Sequence, residues 1–218
     1  MKRVLFFCVF LIVLGFSNLA SAVLVVDTGA PDNIWPSSFV GGYGQAGNTS
    51  QWLAGQFTLD KGYDIYEMQG YLAVNVQGEV LITIYEDSNG RPGDFVFSKT
   101  FMSEDGNSSF YGWQGTSGYA GHLDAGTYWI AFGAPDNSIF EGGMGTSNLI
   151  SPIMDAEAYR ANMGGELGWS DWQVAPLDYP DFGFGVYARI EGSPVPVPGA
   201  IWLLGSGIIG LAGLRRKY

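Results

Sequence analysis

The chain has 218 residues, 33 of them glycine, with one cysteine, one histidine and a formal net charge of −11. All 21 acidic residues fall between the two apolar ends, but only five of the ten basic ones do, so the body (residues 23–198) carries about −16. Such a surface repels phosphate backbones and excludes nucleic acid as a partner. Its aromatic, glycine-rich and charge-poor composition is unlike disorder and fits an all-β domain with many turns.

Residues 1–22 have the layout of a secretory signal peptide. Lys2 and Arg3 give a positive start, Val4 to Phe16 is almost unbroken apolar sequence, and Ala20-Ser21-Ala22 offers the small residues a signal peptidase reads. Cleavage is expected after Ala22, with signal peptidase as a partner. Cys8 lies within the apolar run, preceded by Leu5-Phe6-Phe7 rather than small residues, which argues against lipoprotein processing. The mature chain then has no thiol for disulfides or nucleophilic chemistry.

Along the body, Val23 to Asp27 reads as a first strand and residues 28–50 as a long irregular loop. Gln51 to Leu59 is a strand stopped by Asp60-Lys61-Gly62, and Ile65 to Val76 a strand whose imperfect alternation predicts a bulge. Glu79 to Glu86 alternates Val80, Ile82 and Ile84 with Leu81, Thr83 and Tyr85. Asp87-Ser88-Asn89-Gly90-Arg91-Pro92-Gly93 is a turn, and Asp94 to Phe101 returns as its hairpin partner. Thr127 to Phe132 is a further strand, Met154 to Met163 a short helix, and Phe182 to Ile190 a closing strand. Together these predict one antiparallel β-sandwich of jelly-roll type over residues 23–191. Residues 192–199 read as a proline-rich linker, 200–214 as a transmembrane helix and 215–218 as a basic cytoplasmic tail.

The carboxyl end is the most specific segment. Val195-Pro196-Val197-Pro198-Gly199 precedes an apolar stretch of 15 residues, Ala200 to Leu214, and then Arg215-Arg216-Lys217. A helix of that length spans roughly 22 Å, short of a hydrocarbon core near 30 Å, and its cationic end favours the cytoplasmic side. Hinge, apolar stretch and basic cluster together resemble the C-terminal sorting signal of the PEP-CTERM family, with Val-Pro-Val-Pro where the name-giving Pro-Glu-Pro stands. The resemblance implies export across the inner membrane, transient anchoring, recognition by an exosortase, and association with exopolysaccharide or biofilm. In the body, Gln56 to Leu59, Ile82 to Asp87, Gly90 to Gly93 and Leu123 to Trp129 resemble exported sandwich modules joined to varied surface anchors. That resemblance implies no activity.

Catalytic patterns are weak. Gly42-Tyr43-Gly44-Gln45-Ala46-Gly47 and Gly205-Ser206-Gly207-Ile208-Ile209-Gly210 fit a dinucleotide fingerprint by spacing, but neither lies between a strand and a helix. His122 has no nucleophile motif to serve, and one histidine without cysteine cannot build the usual zinc sets. Glu67, Glu79, Glu86, Glu141, Glu157 and Glu166 could in principle supply the carboxylate pair of a glycosidase. Asp87 and Asn89, and Asp136-Asn137-Ser138, place hard oxygens on turns as calcium requires, although an Asx turn closing a hairpin is the better account of them. Trp169, Trp172 and Tyr179 stand among Asp171, Asp178 and Asp181 as candidate sugar-stacking rings, with core packing as the alternative. The expectation is a non-enzymatic exported surface or matrix protein without an obligatory cofactor. The alternative is a glycan-active enzyme using two carboxylates.

Overall fold

Gly70 and Phe132 define how the sheet folds. Phe132 is buried in the core, and a Cβ built on Gly70 would lie 2.7 Å from its ring. Yet the two strands that carry them are four ladder steps apart along the hydrogen-bonded path, roughly 19 Å in a flat sheet. The sheet therefore doubles over, and Gly70 supplies the absence of a side chain that this close approach demands.

The computed structural model describes residues 22–31, 33–42, 50–104, 110–135, 138–146, 154–162, 170–174 and 185–195. In chain order the strands are β1 (Val23–Asp27), β2 (Asn33–Gly42), β3 (Ser50–Leu59), β4 (Tyr63–Val76), β5 (Glu79–Asp87), β6 (Pro92–Met102) and β7 (Phe110–Thr116). There follow β8 (Gly121–Leu123), β9 (Gly126–Gly133), β10 (Glu141–Thr146), β11 (Glu157–Asn162), β12 (Gln173–Val174) and β13 (Ala188–Pro194). The body is the unit Ala22–Pro194; of the second unit, residues 1–21 with 195–218, only Val195 is described.

Every pairing is antiparallel, and no helix occurs among the described residues. The main path is β1-β13-β4-β10-β2-β3-β9-β5-β6, with β7 and β8 also on β4, β11 on β3 and β12 on β11. β4 organises one layer. Residues 63–70 of β4 pair with β13 and 72–76 with β10, while β8 and β7 pair along the same strand. β11, β3, β9, β5 and β6 form the other layer. Alternate residues enclose one core: Ile65, Met68 and Leu72 from β4, Ile82 and Ile84 from β5, and Ile130 and Phe132 from β9. The bulge expected in β4 lies opposite the shift between Glu191 and Gly192, which pair with Glu67 and Ile65.

Three expectations are corrected. Residues 28–50 are not one irregular loop, because Asn33–Gly42 forms β2. Asn33, Pro36 and the paired glycines read as breakers, but β10 pairs along this segment, and its register shift falls where Pro36 sits. Likewise Met154 to Met163 holds no helix over its described part. Glu157–Asn162 is extended because six consecutive residues pair with the edge of β3. The closing strand also lies further on than residues 182–190. Residues 185–187 are outside any strand, and β13 continues through Gly192 and Ser193 to Pro194, which sequence assigned to the linker.

Candidate functional site

The outer face of the β9 layer gathers tryptophans over small residues. Register aligns Ala158, Ala54, Ala131 and Thr83 in one row across four strands. Trp52, Trp129, Tyr85 and Trp172 pack over this row as a second apolar cluster. The Arg160 guanidinium lies 4.4 Å from the Trp52 ring centroid and 4.9 Å from that of Trp172, and Nη2 donates to the Tyr85 hydroxyl at 3.5 Å. Trp172 also meets Tyr85 edge-on at 5.9 Å. The rings and cation fill the face themselves: Trp172 is half-buried and held by packing and cation–π attraction.

Asp87 locks one end of this face. Its Oδ1 accepts from Trp129 Nε1 at 2.8 Å and Gln56 Nε2 at 2.7 Å, and its Oδ2 accepts from the Gly90 amide at 3.1 Å. Burial pushes its pKa upward, but these three donors outweigh it and hold the carboxyl below its usual range. Asn89 (φ 55°) and Gly90 (φ 76°) are both left-handed, and the Ser88 amide donates to Arg91 O at 2.8 Å, giving the two-residue hairpin turn that Asn-Gly favours. Asp87 thus closes the β5–β6 turn and anchors a buried indole.

The outer face of the β4 layer is more open. The β4 bulge turns Tyr66 to solvent at 38% exposure, and Tyr119, between β7 and β8, is 55% exposed. Their rings meet edge-to-face at 5.8 Å. Further along β4, Tyr71 pairs directly with Trp113 of β7, rings 5.5 Å apart and nearly perpendicular. The Arg189 guanidinium sits 4.1 Å from the Trp113 centroid and donates from Nε to Asp27 Oδ1 at 2.9 Å. That bond, with the Gly29 amide, lowers the Asp27 pKa.

His122 lies at the end of this face. Its Nδ1 is 3.0 Å from Asp64 Oδ1 and its Nε2 3.3 Å from Asp124 Oδ1. The Asp64 bond, reinforced by Asp124, raises its pKa despite partial desolvation. A histidine whose two nitrogens both face carboxylates favours the imidazolium and is a poor general base.

Glu79 and Glu86 sit at opposite ends of β5, roughly 23 Å apart at strand rise. Glu67 is held by Gln69, whose Nε2 donates to Oε1 at 2.6 Å. Glu141 begins β10. Glu157 is buried, accepts the Val186 amide at 3.0 Å, and is pushed by desolvation up to about 7. No group of three or more His, Cys, Asp or Glu side chains able to hold a metal occurs among the described residues. Ala20, Trp169, Tyr179, Glu166, Asp136, Asn137, Pro196, Val197, Pro198, Gly199, Arg215, Arg216 and Lys217 lie outside the described residues, as do the expected signal peptide before Ala22 and the expected membrane helix. Ala22 and Val195 are exposed at the two ends of the body's strands.

Sequence reading missed Tyr66, Tyr71, Trp113, Tyr119, Arg160 and Arg189. The bulge in β4 was visible as broken alternation, but the residue it turns outward was not.

No curated protein and no solved structure matches the chain. Residues 194–217 match the PEP-CTERM protein-sorting motif, beginning at the residue that ends β13. The chain thus carries a PEP-CTERM protein-sorting motif over residues 194–217, and that motif implies export and exosortase-type sorting to the cell envelope or surface.

Proposed function

We propose that the chain is a non-enzymatic exported protein, transiently anchored by residues 200–214 with the basic end in the cytoplasm, then released to the surface or extracellular matrix in association with exopolysaccharide. The observation that carries this reading is the sorting motif at residues 194–217, which starts where the last strand stops. On this reading the doubled-over sheet is a jelly-roll-like β-sandwich acting as cargo, and signal peptidase and an exosortase are its processing partners. Support from the body is chemical: Asp87, His122 and Arg160 are each engaged by neighbouring side chains in structural roles. Grafting residues 194–218 onto a secreted reporter tests it. The reporter should lose the graft only in cells with an exosortase; processing in both backgrounds, or in neither, contradicts the reading.

A competing reading, a glycan-active enzyme with paired carboxylates, draws on Glu157, whose proton is retained near neutral pH as a general acid requires. It expects reducing ends to appear in a polysaccharide substrate and to vanish in Glu157→Gln.

A further inference from the structure

We propose that the outer face of β4, β7 and β8 is a binding platform for neutral polysaccharide, built on the exposed Tyr66–Tyr119 pair and continued by Tyr71 and Trp113. This deepens the matrix reading above and rests on it.

Four observations carry the proposal. The first is exposure: among the described residues Tyr66 and Tyr119 are the exposed aromatics of this face, and they support each other edge-to-face rather than packing into the core. A ring held in this way keeps apolar surface open to water, and such surface matches the C–H faces of a pyranose. The second is extent. Tyr71 follows Tyr66 on β4 by five residues, roughly 16 Å at strand rise, so the two aromatic pairs lie along a line long enough for a chain rather than a single sugar.

The third is the polar chemistry between and beside the rings. Asp64, Glu67 and Asp124 bring carboxylate oxygens to this side of β4 and β8, and Gln69 adds an amide. Carboxylates accept hydrogen bonds, and a polyol offers hydroxyl donors to them. The fourth is charge. Glu191 is paired opposite Glu67 on the same outer side, while among the described residues the nearby cations are His122, between two aspartates, Arg189, on Asp27, and Lys61, over the Tyr63 ring at the start of β4. An anionic polymer or lipid headgroup is therefore repelled, and an uncharged glycan is not.

The opposite outer face has one exposed aromatic ring among its described residues, Phe95 at 63% beside Tyr85, with no second exposed ring to extend it. Its Trp52 and Trp129 are buried, and Trp172 is occupied by Arg160 and Tyr85; on the β4 face Arg189 covers one side of Trp113 in the same way, so the exposed Tyr66–Tyr119 pair is the part of the platform that is open.

Affinity electrophoresis of the full chain in mild neutral detergent tests the platform, using gels that contain galactomannan, hydroxyethyl cellulose or, separately, alginate with and without calcium. The wild-type chain should be retarded by at least one neutral polymer and not by alginate. Tyr66→Ala/Tyr119→Ala should weaken that retardation on the order of tenfold, the loss expected for two stacking rings. Tyr66→Phe/Tyr119→Phe should retain it, and Trp172→Ala should leave it unchanged. Thermal midpoints identify any variant that fails to fold; if the double alanine variant does, the loop substitution Tyr119→Ser takes its place and should still lose several-fold. Absence of retardation in both neutral gels overturns the platform, as does retardation that survives loss of the rings or arises only in alginate with calcium. Tail removal, read by mass on the same protein, reports separately on sorting.

Discussion

Glu157 accepts a hydrogen bond from the Val186 amide at 3.0 Å and ties β11, in the β9 layer, to the segment leading into β13 of the β4 layer. The carboxyl is buried beside Gly55, Met154 and Val186, with desolvation lifting its pKa from 4.5 to about 7. The folded state therefore binds a proton that the unfolded chain releases above about pH 4.5, and stability falls as pH rises from there to about 7. The shift corresponds to roughly 3 kcal/mol. Glu157→Gln keeps an acceptor for Val186 but cannot ionise. Denaturant melts at pH 4.5 and 8 should show a smaller pH-dependent loss in the variant; an unchanged slope rules out Glu157 as its source.

His122 contributes in the same direction over a different range. Its folded pKa is raised by Asp64 and Asp124, so its stabilisation is complete below about pH 6.5 and is lost as pH rises through the folded value. Because the ring and Asp64 are both partly exposed, screening keeps the contribution small. His122→Asn should lower stability modestly at pH 5 and hardly at pH 9, by thermal melts in low salt. An equal loss at both pH values would mean that the ring acts through packing.

Asp87 carries a larger consequence. Removing its carboxylate strands the indole N–H of Trp129, which is fully buried, and releases Gln56. Asp87→Ala should cost about 1–3 kcal/mol, with Asp87→Asn clearly milder because its carbonyl oxygen can still accept. Near-ultraviolet circular dichroism and urea melts measure both. If adding calcium to the wild-type chain raised its midpoint while Asp87→Ala removed that rise, the turn would be a cation site as well as a lock.

β6 ends the path of the sheet and would offer a free edge to another molecule. Lys99 pairs with the core residue Ile82 and stands between Phe97 and Phe101, both packed against the core, so its charge points inward at the edge. Inward charges and bulges blunt edge pairing, and the register shift near Phe95 adds the second device. Lys99→Val should promote concentration-dependent self-association, measured by light scattering; a monodisperse variant up to high concentration would show that the edge is protected by other means.

The strands that sequence revealed most clearly are those dense in β-branched and aromatic residues. β5 and β9 are of this kind, and the Asn89-Gly90 turn adds a local conformational demand. β2 and β10 were hidden because Gly41, Gly42, Gly142 and Gly143 give no alternation to read, and their pairing is set by partners far away in sequence. β11 failed for a related reason: a six-residue strand beginning with a buried acid carries little periodicity, and the edge of β3 decides its conformation. For the outer faces, the richness in tryptophan and tyrosine was legible, but which rings reach solvent was not. Trp172 meets Arg160 across 12 residues, whereas Tyr66 meets Tyr119 across 53, and only the folded sheet brings either pair together.

The central claim, that this body is cargo sorted by its own tail, is tested most directly by the intact mass of the chain recovered from the cell surface or medium. In cells with an active exosortase the account predicts a protein beginning at Val23 and ending near residues 198–200, and in cells without it a membrane-bound chain that keeps its tail. Recovery of the full apolar tail on surface protein in the presence of the exosortase would contradict it and make the tail a permanent anchor.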